Sequence, residues 1–126
     1  MLSFNHAVKN FMDSVETKDW ERFKTFFDES EFEHFYALLP QSAEYRTVKD
    51  FLDLQKTAFM PNNTIIKQQL IRTFISGDAE EMGLACLIVT VSESEKLVRR
   101  TYVSLLFHHR SLRGWKIRHI QNSTIG

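Results

Sequence analysis

From Thr64 onward the chain reads as one strand after another. Segments 64–76, 82–91, 97–110 and 115–124 are rich in Ile, Val, Leu, Thr and Phe, and stretches at 77–81, 92–96 and 111–114 read as turns between them, with Gly77-Asp78 and Arg113-Gly114 as signals. Short turns join antiparallel neighbours, whereas parallel strands need long crossovers, so the pattern predicts an antiparallel meander. Runs of ten residues or more exceed the usual strand of about five or six. Strands that long curl, because sheets twist. A curled sheet needs something to curl around.

The first half of the chain supplies it. Phe4, Ala7, Val8, Phe11, Met12 and Val15 recur at the three-and-four spacing of one helical stripe over 3–17, with Ser3 as N-cap. Asp19 is placed to cap a second short helix that turns Trp20, Phe23, Phe26 and Phe27 inward, and Thr17-Lys18-Asp19 separates the two. Residues 31–38 read as a strand that Pro40 ends. Thr47 and Asp50 resemble a capping box for a third helix carrying Val48, Phe51, Leu52, Gln55, Ala58 and Phe59. Helices followed by a meander predict an α+β domain spanning 1–126.

With 126 residues, 43% of them hydrophobic and 11 of them Phe, the chain can bury a core, which excludes disorder. Its formal net charge of zero argues against a nucleic-acid binder. The 11 acidic and 7 basic residues of 1–60 and the 5 acidic and 9 basic residues of 61–126 fit exposed helix faces and an exposed sheet edge. Nothing reads as a signal peptide or a membrane span, and the single cysteine, Cys86, has no internal disulfide partner. Cytoplasmic location is therefore the expectation. No glycine-rich phosphate loop occurs, and His108-His109 point to opposite faces of a strand with no third ligand at useful spacing, so neither cofactor nor metal is expected.

The last strand carries the functional reading. Strict alternation puts Trp115, Ile117, His119, Gln121 and Ser123 on one face, grading from apolar to polar. A short turn at 111–114 pairs the last two strands with residue numbers summing to about 225, which sets Ser104 opposite Gln121, Leu106 opposite His119, His108 opposite Ile117 and Tyr102 opposite Ser123. A few polar groups converging in an apolar wall suit a small-molecule pocket. His119 and Tyr102 are then the candidates for acid–base chemistry, and Ser104, Gln121, Ser123, Ile117, Trp115, Leu106 and His34 the candidate ligand contacts. Cys86 and Ile88 join this face if loop 92–96 holds five residues. The reverse face, Val103, Leu105, Phe107 and Ile120, is expected to meet a second copy of the chain, so that Leu105→Glu would break a homodimer.

Two stretches carry a resemblance. Lys18-Asp19-Trp20-Glu21-Arg22-Phe23-Lys24-Thr25-Phe26-Phe27 resembles the D-W-x-x-F-x-x-L-F helix of the nuclear-transport-factor-2-like (NTF2-like) superfamily, in its SnoaL-like and ketosteroid-isomerase-like branch. Gly114-Trp115-Lys116-Ile117-Arg118-His119-Ile120-Gln121-Asn122-Ser123 resembles that superfamily's G-x-W-K-I-x-H-x-H-x-S strand, with Gln121 where a His is frequent. The resemblance implies three N-terminal helices on a strongly curved, mainly antiparallel sheet enclosing a cone-shaped cavity. It implies a small apolar or amphipathic ligand, with isomerase, cyclase or dehydratase chemistry in reach. Isomerase chemistry needs a carboxylate base in the cavity. Segments 64–76, 82–91 and 97–110 contain no Asp or Glu within their apolar alternation, which favours binding over turnover. An enzyme reading requires a cavity of at least about 300 Å³ and a perturbed titrating group inside it. The competing reading is a non-catalytic, homodimeric association module, whose sign is a cavity closed by Phe side chains.

Overall fold

The computed structural model describes residues 3–27, 36–39, 43–45, 48–58, 63–76, 82–110 and 114–125. Helix α1 (Phe4–Glu16) buries Phe4, Ala7, Val8, Phe11 and Val15, the stripe its spacing predicts, and the Ser3 side chain accepts from the His6 backbone N–H at 3.2 Å. The helix ends where Lys18 turns left-handed at φ 55°. The Lys18 N–H donates to Val15 O at 3.1 Å and the Asp19 N–H to Ser14 O at 2.9 Å, a Schellman closure that satisfies the last carbonyls. Asp19 at once caps α2 (Trp20–Lys24) by accepting from Arg22 N–H. One tight corner thus seats both helices on the same core. Helix α3 (Val48–Ala58) buries Val48, Phe51 and Leu52; Thr47, Phe59 and the first part of the expected strand 31–38 lie outside the described residues.

A six-stranded sheet runs in the order β2-β1-β6-β5-β4-β3. Strands β3 (Thr64–Ile75), β4 (Met82–Glu93), β5 (Lys96–Arg110) and β6 (Gly114–Thr124) form the predicted antiparallel meander. Two short strands extend it: β1 (Tyr36–Leu39) pairs parallel to β6, and β2 (Ala43–Tyr45) antiparallel to β1. The β4–β5 connection is tighter than the five residues expected. Ser94 and Glu95 alone form it, both with positive φ (50° and 68°), the backbone of a type I′ hairpin turn.

Three irregularities interrupt the ladders. The register skips Ile71 in β3, Val98 in β5 and Arg118 in β6. Each is a β-bulge, which bends its strand and reverses the phase of side-chain alternation beyond it. On the inner face Ile66, Ala85, Leu87, Val91, Val103, Leu105, Phe107, Ile117 and Ile120 meet the helices in one continuous core. Phe107, fully buried, packs edge-on to Phe4 (5.4 Å) and Phe11 (6.3 Å), and so joins sheet to helix.

Candidate functional site

A cavity of about 140 Å³ lies between the helices and the inner face of the sheet. Phe11 and Val15 of α1, Phe23 of α2, and Phe51 and Leu54 of α3 form its helical side. Ile66, Leu87, Val89, Val91, Val103, Leu105 and Ile120 form its sheet side. Polar side chains enter at Gln55, Gln68, Arg99, Thr101 and Asn122. The polarity is ordered along β5: Phe107, Leu105 and Val103 are buried, Thr101 is 5% exposed, and Arg99 reaches solvent. Gln68 is fixed in place, its Nε2 donating to Met12 O at 2.7 Å while its backbone N–H donates to Glu16 Oε1 at 2.8 Å. Asn122 is the opposite case. Its Oδ1 is buried and accepts no hydrogen bond.

The β5–β6 register is the expected one at Tyr102↔Ser123, Ser104↔Gln121 and Leu106↔His119, but the faces are inverted. Tyr102, Ser104, Leu106, His119, Gln121 and Ser123 alternate with the cavity-lining Val103, Leu105, Ile120 and Asn122, and so stand on the outer side of the sheet. Tyr102 is 53% exposed there. His119 and Tyr102, the acid–base candidates, thus face away from the cavity. Val103, Leu105, Phe107 and Ile120, expected at a dimer interface, are instead core residues. The helices bury the more apolar set of β5, which turns Tyr102 and Ser104 outward, and β6 is divided between the two sides by the bulge at Arg118. The bulge separates Trp115 and Ile117 from the rest of their expected face: Ile117 is buried in the core, and Trp115 packs on Phe4 at 4.9 Å. Neither lines the cavity. His108 meets Lys116 rather than Ile117. Cys86 and Ile88 share a face with Ser104 and Tyr102, although the connection holds two residues rather than five, because the bulge at Val98 restores the phase; that face is the outer one. His34 lies outside the described residues.

No protein-family model matches the chain, and no curated protein matches it. Solved structures do. A candidate dehydratase of the NTF2-like family from Streptomyces avermitilis superposes with a TM-score of 0.75 at 15% identity, over 97% of this chain and 93% of that one. A candidate calcium/calmodulin-dependent protein kinase type II association domain from Thiobacillus denitrificans gives 0.75 at 8% identity, over 98% and 96%. A domain of unknown function with a cystatin-like fold from Nostoc punctiforme gives 0.75 at 12% identity, over 96% and 74%. The chain has the NTF2-like fold.

Within this NTF2-like fold, Asn122, Thr101, Gln68 and Arg99 are the polar cavity residues that strand alternation alone did not single out, whereas Gln55 lies on the stripe expected of α3. A signal was present in β5. The set Val103, Leu105, Phe107 is more apolar than Tyr102, Ser104, Leu106, His108, and an antiparallel sheet with one covered face turns its more apolar set inward. Among the described residues no group of three or more His, Cys, Asp or Glu is arranged to hold a metal ion.

Proposed function

We propose that this chain binds a small apolar or amphipathic molecule in the cavity between its helices and sheet. The observation that carries the reading is the cavity itself, about 140 Å³ between helices and sheet, lined mainly by apolar side chains with Gln55, Gln68, Arg99, Thr101 and Asn122 among them. Binding is favoured over turnover. The described lining residues include no Asp, Glu, His, Lys, Tyr or Cys, hence no side chain suited to moving protons near neutral pH. A cavity of about 140 Å³ also falls below the size expected of a pocket for a drug-sized substrate, about 300 Å³.

Native mass spectrometry of the purified chain tests this. A discrete extra mass is expected on the wild type and absent from Val89→Trp, which fills the cavity from the sheet side. An extra mass that survives Val89→Trp would put the molecule elsewhere.

Assembly is a second part of the proposal. Ile65, Phe74 and Tyr102 are each about half exposed on the outer side of the sheet, with the half-buried Leu84, Cys86, Ile88 and Leu106 between them. Lys67, Gln69, Arg72, Arg100, Ser104 and Gln121 stand on the same side, so the face is mixed, with an apolar part that a second copy of the chain would cover. Cys86, a free thiol on that face, is consistent with a reducing cytoplasm. Among the described residues no helix is long and apolar enough to cross a membrane.

A further inference from the structure

Strand β3 ends the sheet on one side, so β4 satisfies only one of its two edges. In an antiparallel ladder the backbone groups of alternate residues point to opposite sides of the strand. The Ser76 N–H donates to Met82 O at 2.9 Å, and Phe74 and Arg72, in the same phase, likewise turn their backbone groups toward β4. Thr73 and Ile75 therefore turn theirs away from it. Across the bulge at Ile71 the phase reverses, and there the outward N–H of Gln68 is taken by Glu16 Oε1 at 2.8 Å. The end of α1 thus covers β3 at Gln68, while no described residue bonds the outward groups of Thr73 and Ile75.

The side chains of this stretch are as open as its backbone. Ile71, Phe74 and Ile75 are each about half exposed. Phe74 pairs with Leu84 on the outer side, and Ile75 with Gly83 in the phase of the core residue Ala85, so apolar surface flanks the edge on both sides. An open edge of this kind invites pairing with another strand, and bulges and charges decide with which. Between Thr64 and Ile75 there are two cations, Lys67 and Arg72, and no carboxylate. The Arg72 guanidinium lies 5.6 Å from the centroid of the Phe74 ring and has no carboxylate partner. A second β3 laid antiparallel about Thr73 would set the two Arg72 side chains on a diagonal, roughly 7–8 Å apart, and bring no carboxylate to either.

We propose that the 70–75 edge of β3 accepts an extended, acidic segment of another protein as an added strand. The segment's backbone bonds the outward N–H and C=O groups of Thr73 and Ile75. Its carboxylates meet Arg72 on the outer side, and its apolar side chains cover Ile75 on the inner side. Main-chain bonds supply affinity in this mode of recognition, and alternate side chains supply specificity. The assignment is independent of what the cavity holds.

Fluorescence anisotropy of the full chain with two short labelled peptides tests it, one alternating valine with glutamate and the other valine with lysine. The glutamate peptide is expected to bind about tenfold more tightly. Thr73→Pro is expected to abolish that binding in a chain that remains folded by circular dichroism, because the N–H it removes is an outward one on an edge strand. Arg72→Glu is expected to reverse the preference, and it decides alone should Thr73→Pro fail to fold. Equal affinity for the two peptides, binding that survives in folded Thr73→Pro, or no binding to the wild type would each overturn the proposal. A wild-type dimer that Thr73→Pro converts to single chains would overturn it too, giving this edge to a second copy.

Discussion

Gly83 shows how closely single residues are matched in this core. It is buried on β4, and a Cβ at that position would stand 2.5 Å from Cε1 of Phe4. The Phe4 ring has little room to retreat, since it is 2% exposed and held between Phe107 (5.4 Å) and Trp115 (4.9 Å). Overpacking of a filled core typically costs about 1–3 kcal/mol. Gly83→Ala is therefore expected to lower stability by about that much in urea unfolding, with an unchanged slope. Gly83→Ala combined with Phe4→Leu should recover part of the loss, because the smaller side chain vacates the contact; no recovery would mean that the glycine serves the strand backbone instead.

At the scale of elements, the β4–β5 hairpin sets the register on which the cavity depends. Its two-residue turn and the bulge at Val98 together place Val89 opposite Thr101 and Leu87 opposite Val103, both pairs on the cavity wall. The turn is braced by hydrogen bonds between Asn63 and Ser94, N–H to carbonyl at 3.2 Å and Nδ2 to Oγ at 3.0 Å. Glu95, however, is held at φ 68°, where a side chain is strained and glycine is not. Glu95→Gly is expected to raise stability by about 0.5–1 kcal/mol in thermal or urea unfolding, and Glu95→Ala to give no such gain. Equal effects of the two would show that removal of the charge, not the backbone, matters. The exposed Arg22–Asp13 ion pair between α2 and α1, at 2.6 Å, contributes little by comparison.

For the whole molecule, the inverted faces change what a disruptive substitution reports. Leu105 is 1% exposed in the core, so Leu105→Glu is expected to unfold the chain, visible as loss of the circular-dichroism transition, rather than to release a folded monomer. The outer-face substitution Ile88→Asp is the variant expected to separate copies. Sedimentation equilibrium should give twice 14.9 kDa for the wild type and 14.9 kDa for a folded Ile88→Asp. A wild type at the single-chain mass would remove the outer face as an assembly surface.

Local signals in the sequence determined the elements. Ser3 and Asp19 mark the starts of α1 and α2, the three-and-four stripe marks the buried side of α1, and the β-rich run after Thr64 marks the meander. These are legible because each depends on neighbours a few residues apart. Residue pairing near the end of the chain was legible too, since a short turn leaves little freedom of register. Tertiary structure alone decided the parallel β1–β6 pairing and which side of the sheet is inner. A single extra residue at Arg118 reverses the alternation within β6, and no local feature of Ile117-Arg118-His119 announces it. The choice of side was made by the apolar stripes of the helices, which can be buried only against the more apolar face, Val103, Leu105, Phe107 and Ile120. That packing put Asn122 in the cavity and His119 outside it.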